Sequence, residues 1–321
     1  MYQTWSELSS EDKAEIIRQY QEGVCVDELA QRYKLRTESL GRRLREILRN
    51  KEKFFDFKTY DLEVSEDRKI FIYSDCHFGE HDPLAVKVAI EVAAYFDPHI
   101  IINLGDTVDA SRLSQYKKDP RALSIQQERE LWFEFAESLN RVTRAQEKLI
   151  LIGNHDARFM NAVTTLDGFF EIPELDYSNF FYTNELGYRP PVDLVYLNRR
   201  GNKVNPDAVA YFLHGEFARR WSGTSVRATS EMFAGANTVI GHAHRTAMIT
   251  RRTPRGIITG YEIGTLARLN PTYAIFPDWS QSVATGFVGK DYISLTLHII
   301  QDGKTTIGDR VIIVQGENYA T

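Results

Sequence analysis

The sequence predicts an α/β body preceded by a small all-α head, and three observations predict it. From Lys69 onward, strand-length apolar runs alternate with longer helical stretches. The first fifty residues carry only helical apolar spacing. Charge also divides the chain: nine Lys/Arg stand against three acids between Arg32 and Lys53, in a protein whose net charge is −5. A basic patch on an acidic chain points to one surface for an anionic partner.

At 321 residues the chain has room for two domains. Its 43% apolar and 26% charged content excludes a mostly disordered protein. No long apolar run suggests a membrane-spanning helix. The opening stretch, Met1 to Glu7, lacks the basic start and apolar core of a secretory signal. Cys25 and Cys76 are too few for a disulfide framework or a Cys-rich zinc site. A soluble, cytoplasmic protein with no membrane partner is expected.

Three short helices are expected in residues 1–53. The first opens at Ser9, with Asp12 three residues on as a loose capping box, and stops at Gly23. The second holds Val26, Leu29, Ala30 and Tyr33. The third follows Thr37 as N-cap and sets Leu40, Leu44, Ile47 and Leu48 on one face. Only Lys34, Leu35 and Arg36 separate the last two, the tight connection of a helix-turn-helix unit. The stretch Asp27 to Leu44 resembles the helix-turn-helix of recombinases and small DNA-binding regulators. On that resemblance Ala30 permits close helix approach, Leu35 and Leu40 plug the core, and Arg36, Ser39, Arg42 and Arg43 face DNA. Gly41 weakens the third helix by roughly 1 kcal/mol relative to Ala. One such unit binds DNA weakly, so a homodimer or help from the body is expected; a bundle used only for association is the plainer alternative. Residues 54–68 read as a linker, with Phe54, Phe55 and Phe57 packing on a neighbour.

In the body, Ile70–Tyr73, Ile100–Leu104 and Leu149–Ile152 read as buried strands, with helices over Ala85–Tyr95 and Ile125–Val142 between them. This β-α-β-α-β order delivers residues at strand C-terminal ends. After Ala208, Val209–Leu213, Val239–Ile240, Ile257–Ile263, Tyr292–Ile300 and Thr306–Val314 read as a second, mixed sheet.

The strand ends carry the chemistry. They finish in Asp75-Cys76-His77, Gly105-Asp106-Thr107-Val108-Asp109, Gly153-Asn154-His155-Asp156, His214-Gly215 and Gly241-His242-Ala243-His244. Carboxylate and imidazole without thiolate suit Mn, Fe or Zn. Alternate residues of an extended segment point the same way, so both ends of D-x-H or H-x-H reach one centre while Cys76 and Ala243 turn away. His81, His99 and His298 read as structural or surface residues.

Five blocks in this order resemble the calcineurin-like metallophosphoesterase superfamily over about Lys69 to Met248. The resemblance implies a four-layer αββα sandwich and two divalent ions, Mn first and Fe or Zn as alternatives. They would be bridged by Asp106, one held by Asp75, His77 and His244, the other by Asn154, His214 and His242. The pair would acidify a water for in-line attack at phosphorus. His155 matches the family's histidine that protonates the leaving oxygen or clamps a phosphate oxygen, and Asp109 the acid that orients it. Here Asp109 precedes Ala110-Ser111 rather than the Arg-Gly of phosphoprotein phosphatases, which lowers the case for a phosphoprotein substrate.

Arg158 and Arg245 stand nearest in sequence to the site as phosphate contacts, with Arg112, Arg219, Arg220 and Arg227 further off. Recurring aromatics, Trp221 and Trp279 among them, suit stacking on unpaired bases, although core and loop anchoring is the plainer reading. The leading expectation is a metal-dependent phosphodiesterase, a nuclease acting on DNA, whose head tethers the substrate, an arrangement resembling phage-encoded proteins. A phosphatase or cyclic-nucleotide phosphodiesterase with a dimerising head, and a DNA-binding regulator with a non-catalytic metal domain, are the alternatives.

Overall fold

The structure is a computed structural model and describes residues 8, 12, 15–16, 19, 24–41, 44, 58–114, 120–165, 168–198, 208–233, 236–253, 256–270 and 277–315. The chain divides into two compact units, Met1–Phe57 and Lys58–Thr321.

In the first unit, α1 (Val26–Arg32) buries Leu29 and Ala30. Lys34 turns the chain at φ 50°, and the Leu35 amide donates to the Ala30 carbonyl at 2.8 Å. Residues 37–41 are again helical. The Leu40 amide already reaches the Arg36 carbonyl at 2.9 Å, so Thr37 lies inside this helix rather than capping it. Leu8, Ile16, Leu29, Ala30, Leu35, Leu40 and Leu44 form the unit's apolar core. Gly41 is buried, while Arg36 and Ser39 are exposed. Arg42, Arg43, Ile47, Leu48, Phe54, Phe55 and Phe57 lie outside the described residues, as does most of the expected first helix.

The second unit runs through β1 (Thr59–Leu62), β2 (Arg68–Tyr73), α2 (Pro83–Phe96), β3 (Ile100–Asn103), α3 (Ile125–Val142), β4 (Glu147–Ile150), α4 (Asp156–Thr165) and the single turn α5 (Tyr177–Phe180). Then come β5 (Leu194–Leu197), β6 (Ala210–Leu213), α6 (Thr224–Met232), β7 (Asn237–Ile240), β8 (Ala247–Thr253) and β9 (Gly256–Glu262). The strands β10 (Gln281–Val288), β11 (Ile293–Ile300), β12 (Lys304–Ile307) and β13 (Arg310–Ile313) follow.

Helix starts are well specified locally. Asp82 accepts from the amides of Leu84 and Ala85 ahead of α2, with Pro83 in its first turn, and Ser124 and Gln127 form a reciprocal capping box on α3. One sheet has the order β11-β10-β2-β3-β4, the other β1-β5-β6-β7-β9-β8. Period-two alternation sorts the side chains. Phe71 and Tyr73 of β2 face Val88 and Val92 of α2 and Trp132 and Phe135 of α3. Ile70 and Ile72 face the other way, onto Val195, Phe212, Val239 and Ile263 of the second sheet's layer. Helix α6 packs outside β7 and β9, and a Cβ on Gly260 would come within 2.9 Å of Val226. The order is therefore helix, sheet, sheet, helix: the expected αββα sandwich.

Two expectations need correction. The linker does not extend to Arg68: Thr59–Leu62 pairs in parallel with Leu194–Leu197, and the Lys58 amide donates to Asp193 at 3.0 Å. Its partner strand is far along the chain, so no local pattern marks it. Nor do all later strands belong to the second sheet. Antiparallel β10 joins β2 on one side and β11 on the other, extending the first sheet, while β12 and β13 pair only with each other. The strand β10 escapes an apolar-run reading because Ser282, Thr285 and Gly286 interrupt it. A Cβ on Gly286 would lie 2.0 Å from the Ser294 carbonyl, so the tight pairing itself demands that glycine.

Candidate metal centre

The C-terminal ends of β2, β3, β4, β6 and β7 deliver Asp75 and His77, Asp106, Asn154 and His155, His214, and His242 and His244 to one place. Two groups of convergent atoms share Asp106. In the first, His244 Nε2 lies 3.1 Å from Asp75 Oδ1 and 3.0 Å from His77 Nε2, which lies 3.7 Å from Asp106 Oδ2. In the second, His214 Nε2 lies 3.2 Å from Asp106 Oδ2, from Asn154 Oδ1 and from His242 Nδ1. Ring nitrogens set against each other and against carboxylate oxygens in this way are placed to hold a cation among them. Their spacing is that of ligands around a common ion at about 2 Å.

Outer contacts fix which nitrogen faces inward. The Leu104 carbonyl accepts a hydrogen bond from His214 Nδ1 at 3.0 Å, leaving Nε2 to face inward as the electron-pair donor. Asp109 Oδ1, 3.3 Å from His77 Nδ1, does the same for His77. The His242 amide donates to Asp75 Oδ2 at 2.9 Å, and Ser74 Oγ donates to the same oxygen. His244 Nδ1 is buried with no hydrogen-bond partner, and Trp279 packs edge-on against that ring at 4.4 Å.

The backbone reaches this arrangement under strain. Asp75, His77, Asp106, His242 and His244 have φ of 52°, 45°, 50°, 65° and 55°. Each such left-handed residue costs about 1–3 kcal/mol and persists only where its surroundings impose it. D-x-H and H-x-H are therefore not extended segments, as the sequence suggested. They are left-handed turns past the strand ends, and His242 and His244 enter different groups. Gly153 and Gly241 admit the carboxylates: a Cβ would stand 2.2 Å from Asp106 Oδ1 at the one and 2.5 Å from Asp75 Oδ2 at the other.

Burial opposes every charge here, but the neighbours outweigh it for the acids. Against that burial, His244 holds the Asp75 carboxyl down at about 2, and His214 holds Asp106 well below the usual range. Despite its own burial, His214 is raised to about 9 by Asp106. Burial and the adjacent His214 pull His242 down to about 4. The same Asp106 charge that favours a proton on His214 would favour a divalent ion in its place. The buried Asp75, His77, Asp106, His214 and His244, with half-buried His242 and the exposed Asn154 and no thiolate among them, fit a dinuclear divalent-metal site.

His155 stands beside this cluster. Its amide donates to Asp106 Oδ1 at 2.7 Å, and its Nδ1 lies 2.7 Å from the Asp109 carbonyl and 3.3 Å from the Asp109 carboxylate. Arg158, in the first turn of α4, donates to the Asp109 carbonyl at 2.9 Å and to His155 Nε2 at 3.0 Å. Arg245 turns elsewhere, to the Arg219 carbonyl at 2.6 Å and to Asp278 at 3.3 Å. Arg112 is engaged by the carbonyls of Ala122 and Pro120. Cys76 is buried in the helix-side core. His99 accepts from the Lys69 amide and His298 pairs with Thr285, both structural contacts.

Sequence reasoning missed Glu128. Its carboxylate accepts from the Ala110 amide at 2.7 Å, beneath Asp109, and burial pushes it up to about 8. A signal existed: Glu128 shares the buried face of α3 with Trp132, Phe135 and Leu139. No signal marked the Leu104 carbonyl or Ser74.

No curated protein matches the chain. Among solved structures, vacuolar protein sorting 29 from Cryptosporidium parvum is 16% identical, covering 78% of this chain and 100% of its own at a TM-score of 0.41. Vps29 from Entamoeba histolytica complexed with Zn+2 is 10% identical over 76% and 95%, TM-score 0.38. Yfce, a phosphoesterase from E. coli, is 14% identical over 71% and 98%, TM-score 0.33. Residues 68–248, more than half of the chain, match the family described as calcineurin-like phosphoesterase. With its ligand-bearing strand ends inside that span, the protein belongs to the calcineurin-like phosphoesterase family.

Proposed function

We propose that this protein hydrolyses phosphodiester bonds of DNA at the Asp106-centred cluster, with residues 1–53 tethering the nucleic acid as a helix-turn-helix. The observation that carries the hydrolytic part is the sharing of Asp106 between two convergent ligand groups. Asp75, His77 and His244 would hold one divalent ion, Asn154, His214 and His242 the other, with Mn our choice of metal. When bound, the ions supply Lewis acidity and an acidified water.

The chain's own residues do the rest. Asp109 and the Leu104 carbonyl keep the imidazoles in register. His155 is the group in reach of a leaving oxygen. Burial disfavours its charge, but Asp109 and Asp106 outweigh this and raise its proton affinity. Arg158 is the guanidinium in place to take a non-bridging phosphoryl oxygen. Because it donates to His155 Nε2, a phosphate that engages it also frees that nitrogen to act.

Support for DNA comes from the head. Its basic run, Arg32 to Lys53, lies in an otherwise acidic chain, and Arg36 and Ser39 are exposed beside the turn that joins two helical segments. Tethering by this surface would raise the local substrate concentration without adding catalytic contacts. The test is a Mn-supplemented assay of the full chain on single-stranded DNA, duplex DNA and bis(4-nitrophenyl) phosphate, repeated with Arg36, Arg42 and Arg43 changed to Gln. Cleavage of DNA with a raised KM in the triple variant, and unchanged turnover of the small ester, is expected. Turnover of the small ester alone would favour a small-substrate phosphoesterase. Salt-sensitive DNA binding without any turnover would favour a regulator.

A further inference from the structure

The loop from β6 to α6 leaves the metal cluster at His214 and ends at Gly223, and hydrolysis requires none of its other side chains. It is fastened at three points. Arg245 Nη1 donates to the Arg219 carbonyl at 2.6 Å, the Arg219 amide to Ser225 Oγ at 2.9 Å, and the Gly223 amide to Glu262 Oε2 at 2.8 Å. Gly223, at φ +79°, presses so closely on β8 that a Cβ would lie 2.9 Å from Ile249 Cγ2. Both ends of the Arg219–Gly223 segment are thus pinned to the chain just past His244.

Between these pins the loop presents Trp221, which is 63% exposed. On a loop pinned at both ends this indole stays open to a ligand, and covering its face would be favourable. The Arg220 guanidinium lies over the indole at 5.1 Å, and that of Arg219 over the Phe217 ring at 5.2 Å. Each guanidinium lies over one face of its ring, so an aromatic surface and a cation stand together. In a chain of net charge −5, that combination next to a phosphoester site matches a ligand carrying both anionic phosphates and aromatic faces.

We propose that Trp221 and Arg220 form a stacking subsite for an unpaired nucleobase flanking the phosphodiester at the Asp106-centred cluster. The protein therefore prefers single-stranded to fully paired nucleic acid. This rests on the phosphodiesterase reading given above. In a duplex both faces of each base are already covered, so the indole finds a partner only where a base is unpaired. Trp221 supplies the face, Arg220 the neighbouring phosphate contact, and Arg245 positions the loop through the Arg219 carbonyl.

The test uses full-length protein in EDTA, where no ion supports hydrolysis, titrated with an eight-residue thymidine oligonucleotide. Anisotropy reports affinity and tryptophan emission reports stacking. The oligonucleotide is expected to bind and to quench emission. Trp221→Phe should keep the affinity within about threefold while losing the Trp221 share of the quench, because a phenyl ring still stacks and only the emission of the other tryptophans remains. Trp221→Ala should bind roughly 10-fold more weakly, or worse, and Arg220→Gln should fall between. A blunt duplex should not distinguish wild type from Trp221→Ala. Equal affinity of wild type and Trp221→Ala for the oligonucleotide, a quench as large in Trp221→Phe as in wild type, or no binding by wild type would each overturn the subsite. Turnover of bis(4-nitrophenyl) phosphate with Mn reports separately on the phosphodiesterase reading. Turnover without the stacking signature removes only the subsite, and the signature without turnover removes only the hydrolytic reading.

Discussion

Changing Glu262 to Gln should stabilise the protein above neutral pH and leave it unaltered in acid. Glu262 ends β9, is fully buried, and fastens the Trp221 loop through the Gly223 amide. Two effects compete for its proton. Burial, the larger, favours the neutral acid; the amides of Gly223 and Val226 at the start of α6, with Arg245 nearby, favour the carboxylate. Burial wins and lifts the group to about 7, and Oε1 has no hydrogen-bond partner. From an unfolded value near 4.5, this shift corresponds to roughly 3 kcal/mol at most. Because the folded value is the higher one, that stability is complete below about pH 4.5 and is lost as pH rises through about 7. Glutamine keeps an acceptor for the Gly223 amide and carries no charge. At pH 8 the variant should therefore melt higher by up to about 5 °C, given the heat-unfolding entropy of a unit this size. At pH 4.5 the two proteins should melt together. Thermal unfolding of both across pH 4.5 to 8.5 decides it. A variant that melts below wild type at pH 8 would show that the amides and Arg245 hold the carboxylate ionised. A gap independent of pH would make packing, not protonation, the cause.

Further predictions concern the cluster itself. Gly153→Ala forces a methyl within 2.2 Å of Asp106 Oδ1 and should abolish binding of two equivalents of Mn, measured by metal analysis after dialysis. Gly168→Ala meets nothing within 4 Å and, although its φ of +83° makes alanine cost about 1 kcal/mol of backbone strain, it should retain both ions. Asp109→Asn removes the anionic partner of His77 Nδ1 but leaves the Asp109 carbonyl on His155. It should weaken Mn binding by about 10- to 100-fold, read by calorimetric titration, and unchanged affinity would mean that His77 needs no such partner.

Much of the body was legible from local pattern. The span Ile125–Val142 is marked by its own capping box and apolar stripe, and its bounds need no tertiary information. The buried strands around Ile70 and Ile100 are marked by short apolar runs of β-branched and aromatic residues. Strands held by distant partners left no such trace: β1 depends on β5, and β10 depends on β2. Glu128 falls on the apolar stripe of α3, yet its residue type masked it. Its burial follows from where α3 packs, whereas an acid in a first helical turn reads equally well as a solvated cap.

The sequence alone determined which donors exist and that each block follows a strand, because a short motif after an apolar run is a local property. What only the tertiary structure decided is which donors share an ion, which nitrogen of each ring faces inward, and that Arg158 is in reach while Arg245 holds a loop. Those outcomes depend on left-handed turns at strand ends and on carboxylates passing glycines without a side chain in the way. They arise from close approach between segments far apart in the chain, which residue order does not encode directly.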